Sequence, residues 1–198
     1  MSTTRIPFES EYFYHVYNHA RGNDRLFESD WDYKSFLSLV KKYVLPVTEI
    51  YAYCLMPNHF HFLVKNKPIT IPESFRKKDE NSYYSHQWGN IQNTYTKKKN
   101  YRKRRRGGLF CQSINRNLID SEEYLKMCVV YIHNNPVKHG HCFNPVAWTY
   151  SSYPAIISSR STNIQRAEVL SLFETKDNFI SYHSSNADEI FAGKYKLL

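Results

Sequence analysis

The run Tyr-Cys-Leu-Met-Pro-Asn-His-Phe-His-Phe-Leu-Val, from Tyr53 to Val64, constrains this chain more than any other stretch. Its second half alternates imidazole with apolar residues, and on a strand successive side chains face opposite ways. His59 and His61 then share one face while Phe60 and Phe62 enter a core on the other. Met56-Pro57-Asn58 supplies a tight connection, so strands over 48–55 and 59–65 form a hairpin. Two neutral ring nitrogens on rigid β-structure make a pincer for a divalent cation. A polar strand face shows the same alternation, so the pair alone leaves metal binding and a structural role both open.

The flanking sequence places this hairpin in an α+β order. Residues 11–18, rich in Tyr, Phe, Val and His, read as a first strand, and 19–23 as a loop. Ser29 offers an N-cap oxygen with Asp32 three positions on, and Tyr33, Phe36, Leu37, Val40 and Val44 recur at helical spacing before Pro46. A second helix over 82–99 and a fourth strand over 112–119 complete β-α-β-β-α-β. That order predicts a ferredoxin-like antiparallel sheet with helices on one face and the other face available to a ligand. An added helix follows, with Asp120 and Glu123 as a capping box and Leu125, Cys128, Val129 and Ile132 as its apolar stripe. Tyr131 lies at the edge of that stripe, Asn135 shares its face, and Pro136 puts the pair at the helix end. A phenol and an amide oxygen are thus presented together, from a helix that can lie beside the histidine strand. Polar residues 158–162 read as a linker, with short helices over 164–173 and 176–183. The expected division is a domain over 1–153 and a C-terminal helical extension over 154–198.

Charge indicates the partner. Twenty-seven Lys and Arg against 18 Asp and Glu give +9, which favours a polyanion. The tract Lys97, Lys98, Lys99, Asn100, Tyr101, Arg102, Lys103, Arg104, Arg105, Arg106 reads as a solvated, mobile arm, closed by Gly107-Gly108. The 17 Tyr and 12 Phe include rings on which unpaired bases can stack. The four cysteines form no C-x-x-C pair and no leader or transmembrane run is read, so a reducing, cytoplasmic setting and no membrane partner are expected.

Three segments carry a resemblance: Tyr14-His15-Val16-Tyr17-Asn18, Met56 to Val64, and Tyr131-Ile132-His133-Asn134-Asn135-Pro136-Val137. Over most of 11–153 the chain resembles the REP-associated tyrosine transposases, single-tyrosine members of the HUH endonuclease superfamily. The resemblance implies cutting of single-stranded DNA near hairpin-forming palindromes and rejoining through a covalent 5′-phosphotyrosine. It implies Tyr131 as nucleophile, His59 and His61 as ligands of Mg²⁺ or Mn²⁺, and Asn135 as third ligand. Related insertion-sequence enzymes carry Gln at that last position. It also favours a monomer over the dimers of more distant relatives, and nucleoid association when bound to DNA.

Arg21, Arg25, Arg116 and Lys138 join the basic tract as candidates for phosphate contact, each with a solvated charge as the plainer alternative. His15 reads first as a hydrogen-bonded structural histidine, although its strand would neighbour the histidine pair. His133, His139 and His141 read as cations near a helix C-terminus, and Cys54 as a small buried hydrophobe. Two other functions fit parts of the pattern. A non-catalytic nucleic-acid-binding module would need the sheet, aromatics and charge but not His59, His61 and Tyr131 together. A zinc hydrolase would need a carboxylate that the motif strands lack.

Overall fold

The computed structural model describes residues 6–185; the expected extension beyond 185 lies outside the described residues. Four strands form: β1 (Phe13–His19), β2 (Thr48–Met56), β3 (His59–Asn66) and β4 (Asn115–Ile119). They lie in the order β2-β3-β1-β4 with every neighbouring pair antiparallel. With α1 (Asp30–Tyr43) between β1 and β2, and α2 (Glu80–Lys103) between β3 and β4, this is the predicted ferredoxin-like arrangement. β4 begins later than expected, because the chain before it pairs with the end of β1 irregularly: Ala20 bridges Phe110, and Cys111 N–H donates to His19 O at 3.0 Å.

Alternation assigns the two faces. Val16, Phe60 and Phe62 are fully buried on one face. There Phe36 of α1 meets Phe60 with ring centroids 5.0 Å apart, and Trp88 of α2 meets Phe62 at 5.5 Å. Each such ring contributes about 1.5–3 kcal/mol by burial. A one-residue slip of β3 would turn its phenylalanines to the opposite face, so this core fixes the register. α1 starts with the expected capping box, Asp32 accepting the Glu28 and Ser29 N–H groups at 2.9 and 3.1 Å.

α2 runs four residues past its expected end at Lys99, which corrects the reading of the basic tract as a mobile arm. Residues 97–103 are helical, and Arg104 ends the helix in the left-handed region at φ 50°. Tyr84, Trp88, Ile91 and Tyr95 form the buried stripe, and Lys99 falls on it one turn later. Lys99 is 2% exposed; its Nζ donates to Arg25 O and Leu26 O at 2.8 and 2.7 Å and pairs with Glu28 and Asp32 at 3.5 and 3.6 Å. As a candidate phosphate contact Lys99 is therefore overturned. Arg102 reaches Asp32 at 3.4 Å and lies over the Trp31 ring, Lys103 pairs with Glu28 at 2.8 Å, and Arg105 with Asp24 at 2.6 Å. Arg116 is also a fold contact, donating to Ile6 O and Asn81 Oδ1 at 2.5 and 2.9 Å and lying over Phe8. Lys97, Lys98, Arg104, Arg106, Arg21 and Arg25 are exposed.

α3 (Glu122–Lys138) lies on the other face of the sheet, over β2 and β3. Its cap is Ser121, whose hydroxyl accepts Tyr124 N–H at 3.2 Å, rather than Asp120. Nor does the helix stop at Asn135: it continues through Pro136 to Lys138, since the proline forfeits only one backbone bond in the last turn while tertiary packing holds the segment. A short 3-10 turn (Pro145–Ala147), α4 (Tyr153–Ile157), α5 (Arg166–Ser171) and α6 (Lys176–Ser185) follow. The expected boundary after 153 falls inside α4, and Val169, Phe173 and Phe179 are buried in the same apolar core as the sheet. Among the described residues no helix is long and apolar enough to cross a membrane.

The buried lysine separates structural charge from surface charge. For Lys99, burial lowers the ammonium pKa more than Asp32 and Glu28 raise it, so the pair brings little net stability, yet losing one partner strands the other. Lys99→Ala should lower unfolding free energy by about 3 kcal/mol, and Lys97→Ala by less than about 0.5 kcal/mol, in urea denaturation. Equal effects would refute the assignment.

Candidate active site

The β1–β3 register places Tyr17 opposite His61, His19 opposite His59 and His15 opposite Leu63, all on the face beneath α3. α3 lays Tyr131 edge-on against two of these rings, with centroids 5.6 Å from His61 and 5.9 Å from His15. Cys54, the neighbour of His61 on β2, is fully buried against Met56 as a small hydrophobe. His19 and His139 flank His59 at 5.1 and 5.2 Å, and Lys138 Nζ stands 5.5 Å from the Tyr131 ring centre. Thus His59, His61, Tyr131, Asn135 and Lys138 converge, whereas the basic tract lies on the α2 side of the sheet.

Burial governs the electrostatics. It holds His15 down to about 3 and His59 to about 4, and His61 well below the ordinary histidine value. All three are neutral at physiological pH, the state a ligand requires. Burial pushes Tyr131 up to about 12, so its hydroxyl keeps its proton.

The donor set can be tested against a cation. His59 stands between two amide oxygens, Nδ1 at 2.8 Å from Asn58 Oδ1 and Nε2 at 3.2 Å from Asn135 Oδ1; the shorter contact favours the ring proton on Nδ1, which leaves Nε2 with a lone pair. Asn135 is oriented by its Nδ2–H, which donates to Tyr131 O at 3.2 Å, so its Oδ1 faces His59 Nε2 at 3.2 Å. Two acceptors facing each other at that distance match adjacent ligands of one ion, which stand about 3 Å apart around an octahedral Mg²⁺. His61 Nε2 is buried without a hydrogen-bond partner, and the buried Tyr131 hydroxyl has only a loose approach from the Asn135 side chain, outside full hydrogen-bond geometry. The residues fit a divalent cation held by two imidazoles and an amide. No group of three His, Cys, Asp or Glu suited to a metal occurs among the described residues, so the third donor here is the Asn135 amide oxygen, which faces His59 Nε2.

His133 corrects its sequence reading. It is fully buried, not a cation at the helix end; burial keeps it well below the ordinary histidine value. Its Nδ1 lies 2.9 Å from His183 Nε2 and its Nε2 2.8 Å from Ser152 Oγ, while His183 Nδ1–H donates to Phe179 O at 2.7 Å. This chain fixes every tautomer and ties α3 to α6. His183 had no sequence signal, being fifty residues away on a short polar helix.

A helix-borne tyrosine meeting a strand-borne histidine pair on a ferredoxin-like sheet is the arrangement expected of the single-tyrosine HUH class. Comparison with known proteins narrows this. No family model matches the chain. A curated protein of Haemophilus influenzae, provisionally named a REP-associated tyrosine transposase, is 29% identical over 114 residues, covering 53% of this chain and 58% of that protein. The chain therefore spans little more than half the length of that relative. Among solved structures, a REP-associated tyrosine transposase bound to a REP hairpin matches with a TM-score of 0.60 at 18% identity, over 80% of this chain and 87% of the other. The fold is shared, and the chain resembles the REP-associated tyrosine transposases as its motifs had indicated.

Burying neutral histidines makes the fold acid-sensitive. A histidine held below its unfolded value of about 6.5 takes up a proton on unfolding, so stability is full above pH 6.5 and falls as pH drops toward the folded value. At pH 5, His15 and His183, whose folded values are about 3 and about 4, should each cost on the order of 2 kcal/mol. Urea midpoints of the metal-free protein should fall steadily from pH 7 to pH 5; a flat profile would contradict the neutral assignments.

Proposed function

We propose that this chain is a divalent-metal-dependent DNA transposase that nicks and rejoins single-stranded DNA beside hairpins, through a phosphotyrosine at Tyr131. The observation that carries the reading is the edge-on packing of the buried Tyr131 ring against the His61 ring, centroids 5.6 Å apart, beside the facing His59 Nε2 and Asn135 Oδ1. Leaving a buried polar atom unsatisfied costs about 1–3 kcal/mol, and a cation at His61 Nε2 would relieve that cost. The REP hairpin bound by the structural neighbour supports hairpin DNA as substrate.

In this reading the Tyr131 oxygen attacks the scissile phosphorus, the bond to O3′ breaks, the phenol's proton leaves and the departing 3′ oxygen takes one up. A 5′-phosphotyrosine and a 3′-hydroxyl result. Reversal by another 3′-hydroxyl rejoins DNA with no nucleotide cofactor, because the phosphodiester energy is conserved in the tyrosyl bond. His59, His61 and Asn135 would hold Mg²⁺ or Mn²⁺, which supplies charge stabilisation at the phosphate. Tyr131 stands at about 12 before substrate binds, and Lys138, 5.5 Å from its ring centre, is the cation placed to favour the phenolate. Tyr131 packs against His61 of its own chain, the arrangement a monomer needs, and a monomer that associates with the nucleoid when bound to DNA is part of the same proposal. The exposed Lys97, Lys98, Arg104 and Arg106 are proposed to grip phosphates, with Arg21, Arg25 and Lys138 contributing from other segments.

End-labelled single strands carrying palindromes, incubated with Mn²⁺ or chelator, give the test. Wild type should form a denaturant-resistant adduct that maps to Tyr131 and vanishes with chelator; Tyr131→Phe should lose cleavage by more than a thousandfold while binding hairpin DNA within about threefold. Tight binding with no adduct under any metal would favour the binding-module reading instead. Neutralising Lys97, Lys98, Arg104 and Arg106 together should flatten the salt dependence of binding by about 0.7 in log–log slope per lost single-strand contact. An unchanged slope would remove these residues from the interface.

A further inference from the structure

The histidine pair has a third member. His15 of β1 is fully buried, with its Nε2 2.9 Å from His61 Nδ1 and the two rings stacked at 5.0 Å. A bond between two neutral imidazoles holds one proton, and where it resides decides what the far nitrogens can do. If it sits on His61 Nδ1, His61 donates to His15 and keeps a lone pair at Nε2. If it sits on His15 Nε2, His61 carries its own proton on Nε2 and cannot ligate a cation.

The protein alone does not bias this choice strongly. His15 Nδ1 and His61 Nε2 are both buried without partners, so either arrangement leaves one unsatisfied N–H and one unsatisfied lone pair. The asymmetry lies in the surroundings. The His61 ring lies 5.0 Å from the His59 ring and 5.6 Å from the Tyr131 ring, and His59 Nε2 in turn faces Asn135 Oδ1 at 3.2 Å. A third lone pair there completes a donor set for a cation; an N–H there would oppose one.

We propose that His15 is a positioning residue that accepts the Nδ1–H of His61 and so presents the His61 Nε2 lone pair to the metal position beside Tyr131. This rests on the metal reading above. A ligating histidine commonly gives its second N–H to a carboxylate or carbonyl. Here the acceptor is a buried neutral imidazole, which orients His61 without adding negative charge. A carboxylate in its place would offset part of the ion's double charge, whereas His15 leaves that charge for the scissile phosphate.

Histidine-selective ¹⁵N NMR of the full metal-free chain reads the tautomers directly, and Mn²⁺ titration calorimetry reads affinity separately. In wild type, His61 should carry its proton on Nδ1 with an unprotonated Nε2. His15→Phe should leave His61 in mixed tautomers and weaken Mn²⁺ binding about 10–100-fold. His15→Gln, whose amide oxygen can accept at the place of the imidazole nitrogen, should restore most of both; because it preserves the buried hydrogen bond, it also guards against a folding failure in the Phe variant. A wild-type His61 protonated on Nε2, or a folded His15→Phe variant with unchanged tautomer and affinity, would overturn the proposal. If wild type shows the Nδ1–H tautomer but binds no Mn²⁺, the metal reading falls while the His15–His61 donation stands on the NMR result.

Discussion

The antiparallel register between β1 and β3 determines everything else at the site. Side chains alternate along both strands, so a single register sends Val16, Phe60 and Phe62 into the layer beneath α1 and α2 and sends His15, Tyr17, His19, His59 and His61 to the other face. The aromatic layer supplies the energy that enforces this, since a slip would exchange rings for imidazoles in the α1–α2 core. The chemical face of the sheet is thus positioned by apolar contacts on the opposite side.

That face is expensive to cover. Placing α3 over it withdraws three imidazoles and a phenol from water, with partners lacking at His15 Nδ1 and His61 Nε2 and only a loose one at Tyr131 Oη. Two features offset the penalty. Leu125, Cys128, Val129 and Ile132 pack α3 onto the apolar part of β2 and β3. The Ser152–His133–His183 chain then fastens the same helix from its outer side, with Ser152 Oγ also accepting Tyr53 N–H of β2 at 2.8 Å. The C-terminal helices therefore hold the tyrosine helix in place. This is consistent with their burial in one core with the sheet.

The strands, α1 and its capping box, the face shared by His59 and His61, and the pairing of Tyr131 with Asn135 were all legible because each follows from local periodicity. The departures occur where tertiary forces override local ones. Pro136 reads as a stop, but the packed helix absorbs the loss of one terminal bond. Lys99 reads as part of a solvated tract because its neighbours are basic. The period Trp88, Ile91, Tyr95 already places position 99 on the buried stripe, and only the carbonyls of Arg25 and Leu26 with Asp32 make a lysine tolerable there. The His15–His61 bond required the strand register, and His183 required the path of the chain after α3; neither is written in a local pattern.

The disposition of charge separates attraction from chemistry. Asp24, Glu28 and Asp32 engage Lys99, Arg102, Lys103 and Arg105, so four cations of the basic tract brace α1 and its preceding loop against α2. The exposed remainder of the tract attracts phosphates through solvent, where each contact is weak and screened by salt. Around Tyr131 the design is reversed. The ring atoms of His15, His59 and His61 are neutral and withdrawn from water, and the donors that meet there are nitrogens and an amide oxygen rather than carboxylates. In low dielectric an uncompensated ionic charge acts on its neighbours far more strongly than at the surface. A divalent ion set among neutral donors would turn that strength on the one anion brought to it, the phosphate presented to the tyrosine.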